Sequence, residues 1–150
     1  MKAITASLAF ALVATPASAQ VADASAAFHL PFFSGPKEYN AALDKVAPRD
    51  PSKTYIVPKY RLAPGAKQFA DLYPPRAEEE HKDGLGVLEC QWDASGVVRN
   101  CKAIAEAPVG YGFGEATRQA MDGHVQLDVS QVTVSPDNGL VRLSYRWTLR

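Results

Sequence analysis

The chain has little cysteine, little histidine and no surplus of either charge, and each scarcity closes off a class of function. Only two of its 150 residues are cysteine and three are histidine. Cys90 and Cys101 are not in C-x-x-C spacing, and His29, His81 and His124 share no spacing with cysteines or carboxylates that marks a metal site. No metal and no cofactor is expected. Lys and Arg number 16 against 16 Asp and Glu, so no long-range field steers the chain onto nucleic acid or an anionic bilayer. No nucleic-acid partner is expected either. There is no internal repeat, and beyond the N-terminal segment no apolar run is long enough to span a membrane.

What is present begins with that segment. Lys2 precedes a run from Ala3 to Val13, then Pro16 and the small residues Ala17-Ser18-Ala19 in the A-x-A arrangement of a signal-peptidase site. Residues 1–19 are read as a signal peptide cleaved after Ala19, leaving no integral membrane anchor. The alternative, an uncleaved anchor, has an apolar core short of the roughly 20 residues a bilayer requires. Secretion supplies an oxidising compartment, in which the two cysteines acquire a meaning.

Cys90 and Cys101 flank the turn Asp93-Ala94-Ser95-Gly96 within two alternating stretches that read as a β-hairpin. With Ser95-Gly96 as the loop, Cys90 lies opposite Cys101; with all four turn residues as the loop, Cys90 meets Arg99 and Cys101 is its diagonal neighbour. Both registers put the sulfurs on one face, and a slip of one residue separates them. A structural disulfide is expected, worth about 3 kcal/mol for a loop of roughly a dozen residues.

The rest of the chain divides into an arm and a domain. Residues 20–65 hold much of the chain's proline and read as an extended Pro-rich arm, with a tail over Gln20–Ser34 and a short helix over Pro36–Val46. Within the arm, Thr54–Val57 is a candidate edge strand. Residues 66–150 read as the folded domain. Ala66–Leu72 suits one helical turn, and Arg76–Lys82 a helix ending at Asp83-Gly84. The cluster Glu78-Glu79-Glu80-His81 points in different directions on such a helix, which suits a solvated face rather than a metal site. Gly110–Gly114 resembles a nucleotide-binding loop superficially, but no Lys-Ser/Thr follows, and a turn into the helix Glu115–Met121 is the better account. Val125–Val134 is left open between strand and loop. After the turn Ser135–Gly139, residues Val141, Leu143, Tyr145, Trp147 and Leu149 alternate with Arg142, Ser144, Arg146, Thr148 and Arg150, a half-buried strand with its arginines on the wet face. The expected fold is α+β, a small antiparallel three-stranded sheet with helices on one face.

The order Tyr73-Pro74-x-x-Ala77, Gly86-x-Leu88-x-Cys90-x-Trp92, Gly96-Val97-Val98-x-Asn100-Cys101, Phe113-Gly114-x-Ala116 and a closing strand Val141–Leu149 resembles the C-terminal domain of TonB over roughly the second half of the chain. The likeness is to a branch with two cysteine strand positions and a Glu-x-Pro-x-Gly-x-Gly-Phe-Gly segment, here Glu106 to Gly114. The motif positions are Tyr73, Pro74, Gly86, Gly96, Phe113 and Gly114. The resemblance implies a periplasmic module that captures an extended, TonB-box-like segment of an outer-membrane or periplasmic protein by adding it as a strand. An edge strand has free N–H and C=O groups to offer, and alternate side chains select the partner. On this chain the strand is Val141–Leu149, with Val141, Arg142, Leu143, Tyr145, Arg146 and Trp147 as the partner-binding set and its arginines suited to a carboxylate. For any one arginine, keeping an edge strand soluble is the plainer explanation. The chain departs from the full energy transducer in having no retained anchor and no long Pro- and Lys/Glu-rich spacer.

Two other roles compete with strand capture. One is a structural or assembly protein of the envelope, its sheet edge used permanently by a partner or in a homodimer. The other is a small hydrolase built on His124, Asp128 and Ser130, but no serine lies in a nucleophile-elbow motif, and no catalytic residue is assigned.

Overall fold

In the computed structural model the described residues are 20–31 and 34–149. The expected signal peptide, Phe32, Phe33 and Arg150 lie outside them. The described residues contain, in order, β1 (Ala22–Asp23), α1 (Ser25–Phe28), α2 (Pro36–Val46), β2 (Thr54–Ile56), β3 (Tyr60–Leu62), α3 (Ala66–Ala70), α4 (Pro75–Glu79), β4 (Gly84–Trp92), β5 (Val98–Ala107), α5 (Phe113–Met121), β6 (Gln126–Leu127) and β7 (Gly139–Trp147).

Strands β5, β4 and β7 form an antiparallel centre, but the sheet does not end with them. β1 joins β5 in parallel at one border and β2 joins β7 in parallel at the other, giving the order β1-β5-β4-β7-β2; β3 and β6 make a separate antiparallel pair. The expected small three-stranded antiparallel sheet is therefore corrected to a five-stranded mixed sheet. Strands of two or three residues carry no readable alternation of their own, and they form here because longer neighbours supply the ladder.

The helices also occupy both faces. Leu88, Cys90 and Trp92 of β4 and Val141, Leu143 and Trp147 of β7 bury against α5 and its neighbours in the main core. On the other face Leu85 and Val87 of β4 and Ala105 and Ala107 of β5 bury against Ala24, Ala27 and Leu43 of the arm. The stretch Gln20–Ser34 is thus no tail where it is described: it supplies an edge strand, a helical turn and two buried alanines. Helix α2 begins as Pro36 predicts, with Gly35 at the N-cap, and its inward residue is Leu43.

Close packing of α5 on β4 depends on glycine. A Cβ at Gly86 would lie 2.0 Å from the Thr117 hydroxyl and 2.4 Å from the Phe113 carbonyl oxygen, closer than real Cβ contacts allow. Thr117 in turn accepts from the Trp147 indole at 2.9 Å and donates to the Phe113 carbonyl at 2.7 Å, so the largest buried side chain has its polar atom satisfied.

Candidate functional site

The hairpin that carries the cysteines closes as Trp92↔Val98 and Gln91↔Arg99, which would set Cys90 opposite Asn100 and turn Cys101 to the wrong face. An extra residue repairs this. The register moves by one before Glu89↔Lys102, with Asn100 at φ 52° as the bulged residue. Asn tolerates this left-handed backbone better than most residues, and its side chain donates to Gln91 at 3.0 Å. Cys90 and Cys101 then meet across the strands with Cα atoms 4.1 Å apart and are joined by a disulfide.

Six residues of β7 were expected to bind a partner. Val141, Leu143 and Trp147 are buried on the α5 face, and Tyr145, half-buried there, stacks on Phe69 with ring centroids 3.6 Å apart. Arg142 and Arg146 point to the other face, which is covered at Arg142 and wet, as expected, at Ser144 and Arg146. Arg142, its side chain 8% exposed, is covered by the arm. Its guanidinium donates to Asp44 at 2.9 Å, to the Ala47 carbonyl at 2.8 Å and to Glu89, its cross-strand neighbour, at 3.3 Å. Tyr55 of β2 donates to the same Glu89 oxygen at 2.8 Å, and both Arg49 and Arg142 lie over its ring. Burial pushes the Tyr55 phenol up. This cluster fastens α2 and β2 to β4 and β7. Arg146 is more open: it donates to the Phe28 carbonyl at 2.9 Å and lies over the Phe28 ring.

The border of β7 is covered over part of its length. β2 pairs only with Gly139, Leu140 and Val141, while β7 runs on to Trp147. Among the described residues no strand lies beside Arg142–Trp147 on that side. Next to this open stretch is a groove of about 340 Å³ lined by Phe69, Tyr73, Glu78, Tyr145, Trp147 and Leu149. Tyr73 makes edge contacts with Phe113 and Trp147, and its hydroxyl donates to the Lys82 carbonyl at 2.8 Å. A larger hollow of about 590 Å³ opens on the arm side near Ala27, Tyr39, Leu85 and Arg146. Burial there pushes the Tyr39 phenol up; among the described residues its hydroxyl has no hydrogen-bond partner, Ser144 lying near it but outside bonding geometry.

The remaining motif residues are structural. Pro74 is buried and precedes α4 as its N-cap. Gly96 turns the hairpin at φ 87°, where its carbonyl accepts from Leu127 at 2.7 Å. Phe113 is fully buried at the start of α5. Gly114 donates its backbone N–H to Glu106 at 2.8 Å, and Gly110 donates to the other oxygen of the same carboxylate at 2.8 Å. Glu106, 5% exposed, therefore ties down both ends of the glycine loop. The sequence marked Glu106 only as the first residue of a motif and gave no role to Asp44, Tyr55, Phe69 or Glu89. Glu89 and Arg142 sit on strands whose alternation was legible, so their pairing was within reach once a register was chosen.

Among the described residues no three His, Cys, Asp or Glu side chains gather as a metal site would, and no helix is long and apolar enough to cross a membrane. No protein-family model matches this chain, nor does any curated protein or solved structure.

Proposed function

We propose that this protein is a periplasmic, TonB-like binding module that captures an extended segment of an envelope or outer-membrane transport protein by strand addition along β7. The observation that carries this reading is the border itself. β2 stops at Val141, and the backbone from Arg142 to Trp147 continues beside an aromatic groove without a neighbouring strand among the described residues. Main-chain groups at such a border supply affinity, and the groove offers alternate side chains of the added strand a place to bury.

The side chains divide the task differently from the sequence expectation. Arg142 is already neutralised by Asp44 and Glu89, so its role here is to hold the arm. Arg146, exposed at the open stretch, is the residue suited to a carboxylate on the incoming segment.

The test is binding of synthetic segments from outer-membrane transport receptors to the chain from Gln20 onward. Arg146→Ala weakens a carboxylate-bearing segment by about tenfold, roughly 1.4 kcal/mol. Lys102→Ala, on β5 away from this border, leaves binding unchanged. If no extended segment binds, or if both variants lose affinity equally, the proposal fails.

A further inference from the structure

The border of β7 already has an occupant. β2 is three residues long, lies between Pro51 and Pro58, and pairs in parallel with Gly139–Val141. Its attachment is chemically specific. Tyr55 donates to Glu89, Ile56 packs against the main core, and just before the strand Lys53 donates to the Asp137 carbonyl at 2.8 Å while the Thr54 N–H donates to the Asn138 carbonyl at 3.0 Å. Beyond these the chain turns outward, Val57 being 89% exposed.

The arm is anchored mainly away from β2: Ala24, Ala27 and Leu43 are buried on the second face with Phe28, Tyr39 and Ala42 packed against them, whereas β2 itself contributes only the half-buried Tyr55 and Ile56. The polar cluster around Arg142 is its other main attachment at this border. A cover held by few apolar atoms, a three-residue ladder and a partly exposed ion cluster is one that a longer strand can displace, since that strand pairs past Val141 and also reaches the groove.

Resting on strand capture, we infer that β2 is a resident stand-in for the external ligand: the border of Gly139–Trp147 recognises an extended segment, parallel to β7, that carries an aromatic hydroxyl residue aimed at Glu89 and next to it a branched apolar residue. The stand-in competes with that ligand, so measured affinity is the intrinsic affinity scaled by the fraction of molecules in which β2 has left.

The probe is an end-blocked peptide of the chain's own residues 51–59, added to the chain from Gln20 onward and to its Tyr55→Ala and Tyr55→Phe variants. Tyr55→Ala frees the border without changing any residue of β7; Tyr55→Phe, which keeps the ring but loses the hydroxyl's bond to Glu89 and the one it accepts from the Asp50 N–H, frees it less and serves if the alanine variant folds poorly. The peptide is expected to bind Tyr55→Ala at least tenfold more tightly than the unsubstituted chain, with Tyr55→Phe between. Hydrogen exchange over Gly139–Val141 should rise in the variants and fall again when the peptide is added. Equal binding to all three chains, or faster exchange that the peptide does not reverse, overturns the inference. A concentration-dependent dimer of Tyr55→Ala that takes up no peptide also overturns it, assigning the border to a second copy. If the peptide restores protection but receptor segments bind no form of the chain, the docking surface stands and the envelope assignment above is what fails.

Discussion

At the scale of single residues, the most repeated device is an aspartate that accepts from a serine two positions later. Asp23 with Ser25, Asp50 with Ser52, Asp93 with Ser95 and Asp128 with Ser130 each accept from both the backbone N–H and the hydroxyl of the serine. These are Asx turns, and the spacing is visible in the sequence as D-x-S. The Ser130 and Asp128 weighed for hydrolysis are partners in one of them. In every case the serine hydroxyl is the main reason the carboxyl is held below its ordinary value, and Asp128, which also holds Lys59, is lowered to about 2. An unfolded aspartate titrates at about 3.9. A carboxyl depressed by folding adds stability that is complete above that value and is lost as pH falls, here through about 2. Ser130→Ala is expected to raise the Asp128 titration midpoint toward the ordinary value in a carboxyl-carbon NMR titration, while Ser52→Ala leaves it where it was.

At the scale of elements, long periodic segments were legible and their junctions were not. The alternation over Val141–Leu149 and the helical spacing from Pro36 give strand β7 and helix α2 nearly to their ends. The hairpin was legible as a pair of strands, and Cys90 lies opposite Cys101 as the shorter loop requires, but nearer the turn Trp92 pairs with Val98, one residue off that register, because a bulge shifts the pairing inside β5. Such a bulge leaves no mark on hydrophobic alternation beyond an asparagine in a strand. The disulfide then holds a register that the turn alone would misplace for these cysteines. Replacing Cys90 and Cys101 together by alanine is expected to cost about 2–5 kcal/mol in a urea unfolding series. An unchanged midpoint would mean that the bulged ladder holds its register unaided.

At the scale of the whole molecule, the sheet is covered on both faces by different parts of the chain, which divide its work. The domain side, built from α5 and the aromatic residues, forms the main core; the arm side is thin, rich in alanine and joined by polar contacts. One signal of this second layer was present in the sequence. Leu85, Val87 and Leu88 put apolar residues on both faces of β4, as a strand buried on both sides requires. The alanines of residues 20–31 concealed the other half, since alanine marks neither a core nor a solvated face. An edge at the last strand was expected, but how much of it stays open was not legible, because that depends on where a three-residue strand from a distant part of the chain comes to an end. The central claim is that this open length takes an added strand. Amide-resolved NMR of the chain from Gln20 onward, titrated with a binding receptor segment, tests it most directly. Shift changes and new exchange protection are expected along Leu143–Trp147, with Thr54–Ile56 losing protection as β2 departs. Changes confined to the β5 border, with β7 unaltered, would contradict it.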